Sequence, residues 1–443
     1  MTALANVTLG PRARSFIRSV FVVGSSTTFV VASSFARGVI LARILGPSQY
    51  GLALILITIT GALDLFADAG IDRFIVQSRF GFRSDMLATS HTYRVGGSLI
   101  TAAGIVALSW PLSRAFHAPQ LWLPIALTGG VVAIRGFANL SYKLQQREHR
   151  FGKETQIYFV MYGVDLAVMT LVTVITHNYW AVLVGAYCNA LIHLAMSQIN
   201  PARPYSFLPR RRLLGLVGRF SLPIYINAAL LLAAAQGDRL VVAASFSKRD
   251  LAFYAAACAI GQGVVAIASK VTMNTLLPIL AARGAPLEIR RRRNTQVGAL
   301  ILAGSLVFLV GLTVVGPFAV PLIYGPAFSG LAALIFASGV VQMIQLEQGW
   351  LTTLLMANGL TTNFPLITVL RAAAFPTALA LVALGFSILS VPLAFAVGTT
   401  LSLAMSYWSA RSLKLIDPRL IIASFTRIAV ASAAVAFMMS SRH

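Results

Sequence analysis

The chain has 443 residues, of which 58% are hydrophobic and only 11% charged, and its mean hydropathy is +0.81. Ordinary soluble domains hold about 45–50% apolar and about 25% charged residues, so this chain lacks the polar residues to cover a soluble surface. Its net charge of +23 would point to nucleic acid in a soluble protein, and the Arg290 to Arg293 run would support that, but the apolar excess excludes that class. Only Cys188 and Cys258 occur, both inside apolar stretches, which excludes a disulfide framework or a Cys-rich metal site.

An apolar span of about 20 residues matches the roughly 30 Å hydrocarbon core of a bilayer. Thirteen such stretches follow in chain order: 16–44, 50–72, 86–110, 119–142, 155–176, 179–199, 213–237, 251–282, 295–320, 326–357, 362–387, 390–410 and 420–439. The first carries Arg37 and is longer than a signal-peptide core, so it reads as a retained anchor. Basic residues fall on every second connection. They are Arg12, Arg14 and Arg18; Arg73, Arg79 and Arg83; Lys143, Arg147, Arg150 and Lys153; Arg203 and Arg210 to Arg212; Arg283 and Arg290 to Arg293; and Arg411, Lys414 and Arg419. The opposite loops hold little beyond Arg43, Arg114, Lys248 and Arg249, an asymmetry that sets the N-terminus in the cytoplasm.

The turn Leu45-Gly46-Pro47-Ser48-Gln49-Tyr50-Gly51-Leu52 returns about 200 residues later, without a gap, as Phe246-Ser247-Lys248-Arg249-Asp250-Leu251-Ala252-Phe253. Pro111 to Gly129 pairs with Pro317 to Gly339 at a similar offset, so a six-helix unit is duplicated. An even helix count makes the halves parallel repeats about an axis along the membrane normal, with a substrate path between them. The expected architecture is all-α: a polytopic membrane protein with an N-terminal six-helix lobe at 1–200 and a basic cytoplasmic connection at 201–212. A C-terminal six-helix lobe at 213–414 and an extra transmembrane helix at 415–443 complete it.

Several stretches resemble the polysaccharide transporter family, oligosaccharide-lipid flippases of the multidrug, oligosaccharidyl-lipid and polysaccharide exporter superfamily. They are Leu41-Ala42-Arg43-Ile44-Leu45-Gly46-Pro47-Ser48-Gln49-Tyr50-Gly51, Asp64-Leu65-Phe66-Ala67-Asp68-Ala69-Gly70-Ile71, Gly237-Asp238-Arg239-Leu240, Asn274 to Ala281, and Pro321-Leu322-Ile323-Tyr324-Gly325-Pro326-Ala327-Phe328. The resemblance covers most of the chain and rests on turns, not on chemistry. It implies movement of a polyprenyl-pyrophosphate-linked sugar repeat unit from the cytoplasmic to the periplasmic leaflet of a bacterial inner membrane, for surface polysaccharide, with assembly proteins as partners. Family members usually have twelve to fourteen helices, so an odd count of thirteen leaves the side of the C-terminus open.

The charges inside the spans ask for the same kind of ligand. Arg37, Lys270 and Arg371 lie deep in theirs, while Arg94, Arg135 and Arg219 sit nearer the ends. An arginine at mid-bilayer costs about 2.5–3.5 kcal/mol on insertion scales, so these side chains should meet a wet cavity, an anion or an acid, or snorkel to the interface. A pyrophosphate would accept their charge-assisted bonds, and Arg37, Lys270, Arg371, Arg94 and Arg135 are the candidate ligands. The intramembrane acids are Asp64, Asp68, Asp165, Asp238 and Glu347. Each can exchange a coupling proton or sodium ion, or pair with a buried arginine, as Asp68 would with Arg37 or Asp238 with Arg239.

Three function classes remain. A lipid-linked oligosaccharide flippase working by alternating access fits the repeat and the cationic interior. An ion-coupled extruder of cationic drugs would want an acidic cavity. A membrane-embedded polymerase would want a large periplasmic loop, and no catalytic constellation, cofactor motif or metal-ligand spacing is evident.

Overall fold

The computed structural model describes residues 11–68, 70–148, 150–281, 286–412 and 414–440. Among them the regular elements are helices: α1 (Pro11–Asp68), α2 (Ile71–Gln77), α3 (Ser84–Ala115), α4 (Trp122–Gly136), α5 (Ser141–Leu144), α6 (Gly152–Thr176), α7 (Trp180–Gln198) and α8 (Arg211–Ser245). They continue with α9 (Lys248–Val271), α10 (Leu277–Ala281), α11 (Leu287–Tyr324), α12 (Ala332–Ala357), α13 (Phe364–Ala372), α14 (Ala374–Ala383), α15 (Ser390–Ser412) and α16 (Pro418–Ser440). Ten are long and apolar enough to cross a membrane, eleven if the pair bent by 56° across α4 and α5 is one span. The first of the ten holds two of the expected spans, because α1 breaks at Gly46, whose φ of 69° and ψ of 172° are not helical. Pro47 then restarts the helix, its missing N–H being one the first turn does not need. Among the described residues helix occupies most of each of the thirteen expected stretches, although α12 in the tenth is not one of the ten candidate spans, and the chain is a multi-pass membrane protein.

Two expectations about connections are corrected. The Arg290 to Arg293 run is not loop: α11 starts at Leu287 and carries these residues on its opening turns, with Glu288 favourably placed against the helix dipole. Arginine is a good helix former, so a run of four extends the helix beyond its apolar part. Lys143 is not a solvated loop charge: it is buried, with 7% of its side chain exposed. Toward the end of the ninth stretch of helix, Thr272–Leu276 winds as a π-helix ahead of Pro278, whose lack of an N–H leaves the i→i−4 ladder one bond short.

The chain packs as two compact units. One holds residues up to Leu45 and Leu56–Ala228. In it α3 lies along α4, α4 along α7, and α7 along α6. Glycines permit these approaches: a Cβ on Gly129 would stand 3.0 Å from the Ala102 carbonyl oxygen, and one on Gly130 would stand 2.2 Å from the Tyr187 hydroxyl. Tyr187 instead donates to the Leu127 carbonyl at 2.7 Å.

The other unit holds Gly46–Ile55 and Ala229–His443. Its centre is α12, packed by α9, α11, α15 and α16, with Trp350, Leu351, Leu354 and Leu355 fully buried along it. Here the two repeated turns meet. Gly51 lies so close to Lys248 that a Cβ would stand 2.0 Å from its carbonyl oxygen. The rings of Tyr50, Phe253 and Tyr324 surround Phe328, with centroids 6.3, 5.6 and 5.7 Å away. Ser247 caps α9 with a capping box, accepting from the Asp250 N–H at 3.1 Å while Asp250 accepts from the Ser247 N–H at 3.2 Å.

Candidate functional site

Within the first unit, helix periodicity brings four charges from four segments to one place. Arg37 on α1 donates to Asp165 on α6 at 3.3 Å, and Asp165 keeps only 6% of its side chain exposed. Arg135, in the last turn of α4, bonds Asp64 on the second part of α1 and donates its other nitrogen to Asn189 on α7 at 2.7 Å. The two pairs form one cluster: Asp165 lies in the field of both arginines, and the Tyr162 hydroxyl lies in the field of all four charges. A Cβ on Gly185 would stand 2.6 Å from an Asp165 oxygen, so the bare backbone of α7 is what leaves room for the carboxylate. Two arginines face two acids here. The intramembrane guanidinium groups are therefore held without a ligand, each by a carboxylate that a stronger anion could replace.

In the same unit, Asp72 on α2 accepts from Arg94 at 3.3 Å and from Lys143 at 2.9 Å, and Lys143 donates to Glu154 at 2.7 Å. Gln146 and Tyr158 also donate to Glu154, at 2.6 and 3.2 Å. Arg94 has 4% of its side chain exposed, so this network ties α2, α3, α5 and α6 together through buried, paired charges.

The second unit places its charges differently. Glu347, fully buried on α12, accepts from Arg427 on α16, from Ser424, and from Ser305 at 3.3 Å. Arg427 also donates to the Leu302 carbonyl. Asp238 takes the Tyr254 hydroxyl at 3.0 Å and the Arg239 backbone N–H at 2.8 Å. The Arg239 guanidinium turns instead to Gln262 at 2.6 Å and Gln236 at 3.3 Å, so the expected Asp238–Arg239 ion pair gives way to amide partners. A pocket beside Asp238 is lined by Tyr254, Cys258, Gln262, Ser338 and Gln342. Arg371 is half-buried, its Nε has no hydrogen-bond partner among the described residues, and the carboxylate whose field reaches it is Asp238. Lys270 is exposed on the last turn of α9, and Arg219 is exposed on α8. The Asp68 side chain and Arg283 lie outside the described residues. Among the described residues no group of three His, Cys, Asp or Glu could hold a metal ion.

Reading the sequence missed Tyr162, Asn189 and Arg427. Arg427 had a usable signal, a lone cation in the middle of the last apolar span; Tyr162 and Asn189 had none, because only the fold brings them to the charges.

The family model described as Polysaccharide biosynthesis protein matches residues 40–333. The succinoglycan biosynthesis transport protein ExoT of Rhizobium meliloti (strain 1021) is 22% identical over 341 residues, 74% of this chain and 65% of that protein's length. Among solved structures, the lipid II flippase MurJ in an inward closed conformation superposes with a TM-score of 0.67 at 12% identity, over 94% of this chain and 97% of that one. An inward-facing multidrug resistance MATE family transporter of the MOP superfamily gives a TM-score of 0.63 at 15% identity, over 86% and 94%. At these identities the two structures show a shared fold.

Proposed function

Because this chain belongs to the Polysaccharide biosynthesis protein family, we propose that it moves a lipid-linked oligosaccharide across the bacterial cytoplasmic membrane for surface polysaccharide, its N-terminus in the cytoplasm. The observation that carries this reading is the Arg37–Asp165 and Arg135–Asp64 cluster around Tyr162. A polyprenyl-pyrophosphate offers each guanidinium an anion with two or more acceptor oxygens in the planar geometry that suits it, and such bonds contribute roughly 1.5–3 kcal/mol each. The substrate's charge then takes the place of Asp64 and Asp165. The released carboxylates are costly in an apolar interior unless each takes up a proton or a cation, which couples the exchange to an ion gradient.

In this scheme Arg37 and Arg135 hold the pyrophosphate. In the second unit Arg371 and Lys270 supply further cationic character, Asp238 serves as a third ion-exchanging acid, and polysaccharide assembly proteins receive the product. Arg94 and Glu347 are assigned to structure, because each is ion-paired within a buried network. Extrusion of cationic drugs is the weaker reading: in the first unit Asp64 and Asp165 are already engaged by arginines, which leaves little negative potential to attract a cation.

The test is export of surface polysaccharide in a strain lacking the transporter. Arg37→Gln with Arg135→Gln should abolish export at unchanged membrane abundance. Asp64→Asn with Asp165→Asn should leave substrate binding intact while removing dependence on the ion gradient. Full export by the double arginine variant would overturn the proposal.

A further inference from the structure

A second cationic site sits apart from the intramembrane cluster, at the end of the first unit where its basic residues gather. The turn before α3, the 3-10 turn Gln145–Glu148 and the connection after α7 line an open cleft of about 610 Å³. Its walls include Arg147, Arg150 and Arg203, with Phe82 and Leu144 as the apolar side and Glu148 as the single acid.

The fold fixes the Arg147 guanidinium and the backbone that carries Arg150 and Arg203. Arg147 spends Nη1 on the Ile75 and Ser78 carbonyls, at 3.1 and 2.8 Å, and its guanidinium lies 6.0 Å over the Phe82 ring. Its Nε and Nη2 carry no hydrogen bond among the described residues. Gly81 makes that crossing possible: a Cβ there would stand 2.1 Å from the Ile75 oxygen and 3.1 Å from Arg147 Nη1. The Arg150 N–H closes its turn on the Gln145 carbonyl at 2.9 Å, while its side chain pairs with Glu148 at 3.3 Å. The Arg203 carbonyl accepts from Asn139 at 3.1 Å, and the same connection is strapped to α3 where Leu208 N–H donates to Thr92 at 2.9 Å.

We propose that this pocket binds the phosphate of an anionic phospholipid headgroup. Three guanidinium groups against one carboxylate leave a net positive site that suits a phosphate diester. The neighbouring Phe82 and Leu144 give it an apolar wall, which a free phosphate would not use but the glycerol and upper acyl chain of a lipid would. The ligand is a membrane component, so the proposal stands whatever the transporter carries.

The experiment uses the purified full chain, exchanged into phosphatidylcholine bilayers with or without phosphatidylglycerol, and counts bound phosphatidylglycerol by native mass spectrometry. Arg150→Gln with Arg203→Gln leaves the Arg147 anchor in place, so the fold is retained, and unchanged thermal melting checks that. A basic residue at an anionic surface contributes about a fivefold change in affinity, so the double variant should bind phosphatidylglycerol about 25-fold more weakly. Phosphatidylcholine binding should not change, and the control Arg291→Gln with Arg292→Gln, on α11, should behave as the parent. Three results would overturn the proposal: parent-like binding by Arg150→Gln with Arg203→Gln, an equal loss in the α11 control, or full displacement of the lipid by inorganic phosphate or pyrophosphate. The last would give the pocket to a free anion or to the carried substrate.

Discussion

Replacing Glu347 by Gln tests how α16 is attached to the second unit. Glu347 is fully buried, and Arg427 keeps 19% of its side chain exposed. The substitution leaves the guanidinium with the Leu302 carbonyl and the Ser305 hydroxyl but no counter-charge. Removing one member of a buried pair costs about 3–5 kcal/mol, and the partial exposure of Arg427 places this case near 3 kcal/mol. Arg427→Met strands the carboxylate, which has no exposure to relieve it, so the loss should lie nearer 5 kcal/mol. Replacing both, with Glu347→Leu and Arg427→Met, removes both desolvation penalties and should return most of the stability, a coupling of several kcal/mol between the sites. Unfolding of detergent-solubilised protein can be followed by a thiol-reactive dye, because Cys258 is buried at 2% exposure and reacts as the second unit opens. Additive losses in the double variant would refute the pair as the attachment. A stable double variant that fails to export would refute the structural assignment and return Glu347 to ion coupling.

Gly51→Val forces a side chain into the space of the Lys248 carbonyl and should destabilise the second unit by about 1–3 kcal/mol, read from its melting midpoint. Gly185→Ala should push Asp165 away from Arg37 and lower both export and the melting midpoint, measured by complementation beside a melt. Cysteines introduced one at a time at Ser78 and at Ser206 should be labelled only from the cytoplasm in intact cells, and periplasmic labelling would reverse the orientation.

The elements were largely legible because their signals are local: apolar length gives spans, Gly46-Pro47 gives the break, and the Ser247 to Asp250 turn gives a capped restart. The sequence does not reveal that the two matched turns pack together, with Gly51 on the Lys248 backbone. Pairings were harder to read, because a carboxylate chooses among cations that are far apart in the chain and adjacent only after folding. Arg37 and Asp165 are 128 residues apart, and Glu347 and Arg427 are 80. Lys143 shows how composition misleads at a span end: it counts toward the basic asymmetry, yet the bend between α4 and α5 turns it inward onto Asp72 and Glu154.

This difference decides how the buried charges should be interpreted. Counted along the sequence, the intramembrane cations outnumber the acids, which by itself would predict an open cationic cavity waiting for an anion. In the folded first unit Arg37 and Arg135 each have a carboxylate, and the balance is near neutral. A neutral cluster can remain in an apolar interior with no substrate present, whereas an unpaired arginine would carry its desolvation cost throughout the empty half of a transport cycle. Pairing thus permits the empty carrier to exist, and exchange of Asp64 and Asp165 for a pyrophosphate, as proposed, would make occupancy depend on what neutralises the released acids. Arg371 in the second unit differs from Arg427 in having no carboxylate bonded to its guanidinium among the described residues, so neutralising it to Gln should weaken substrate binding while raising stability, the opposite of the effect expected at Arg427.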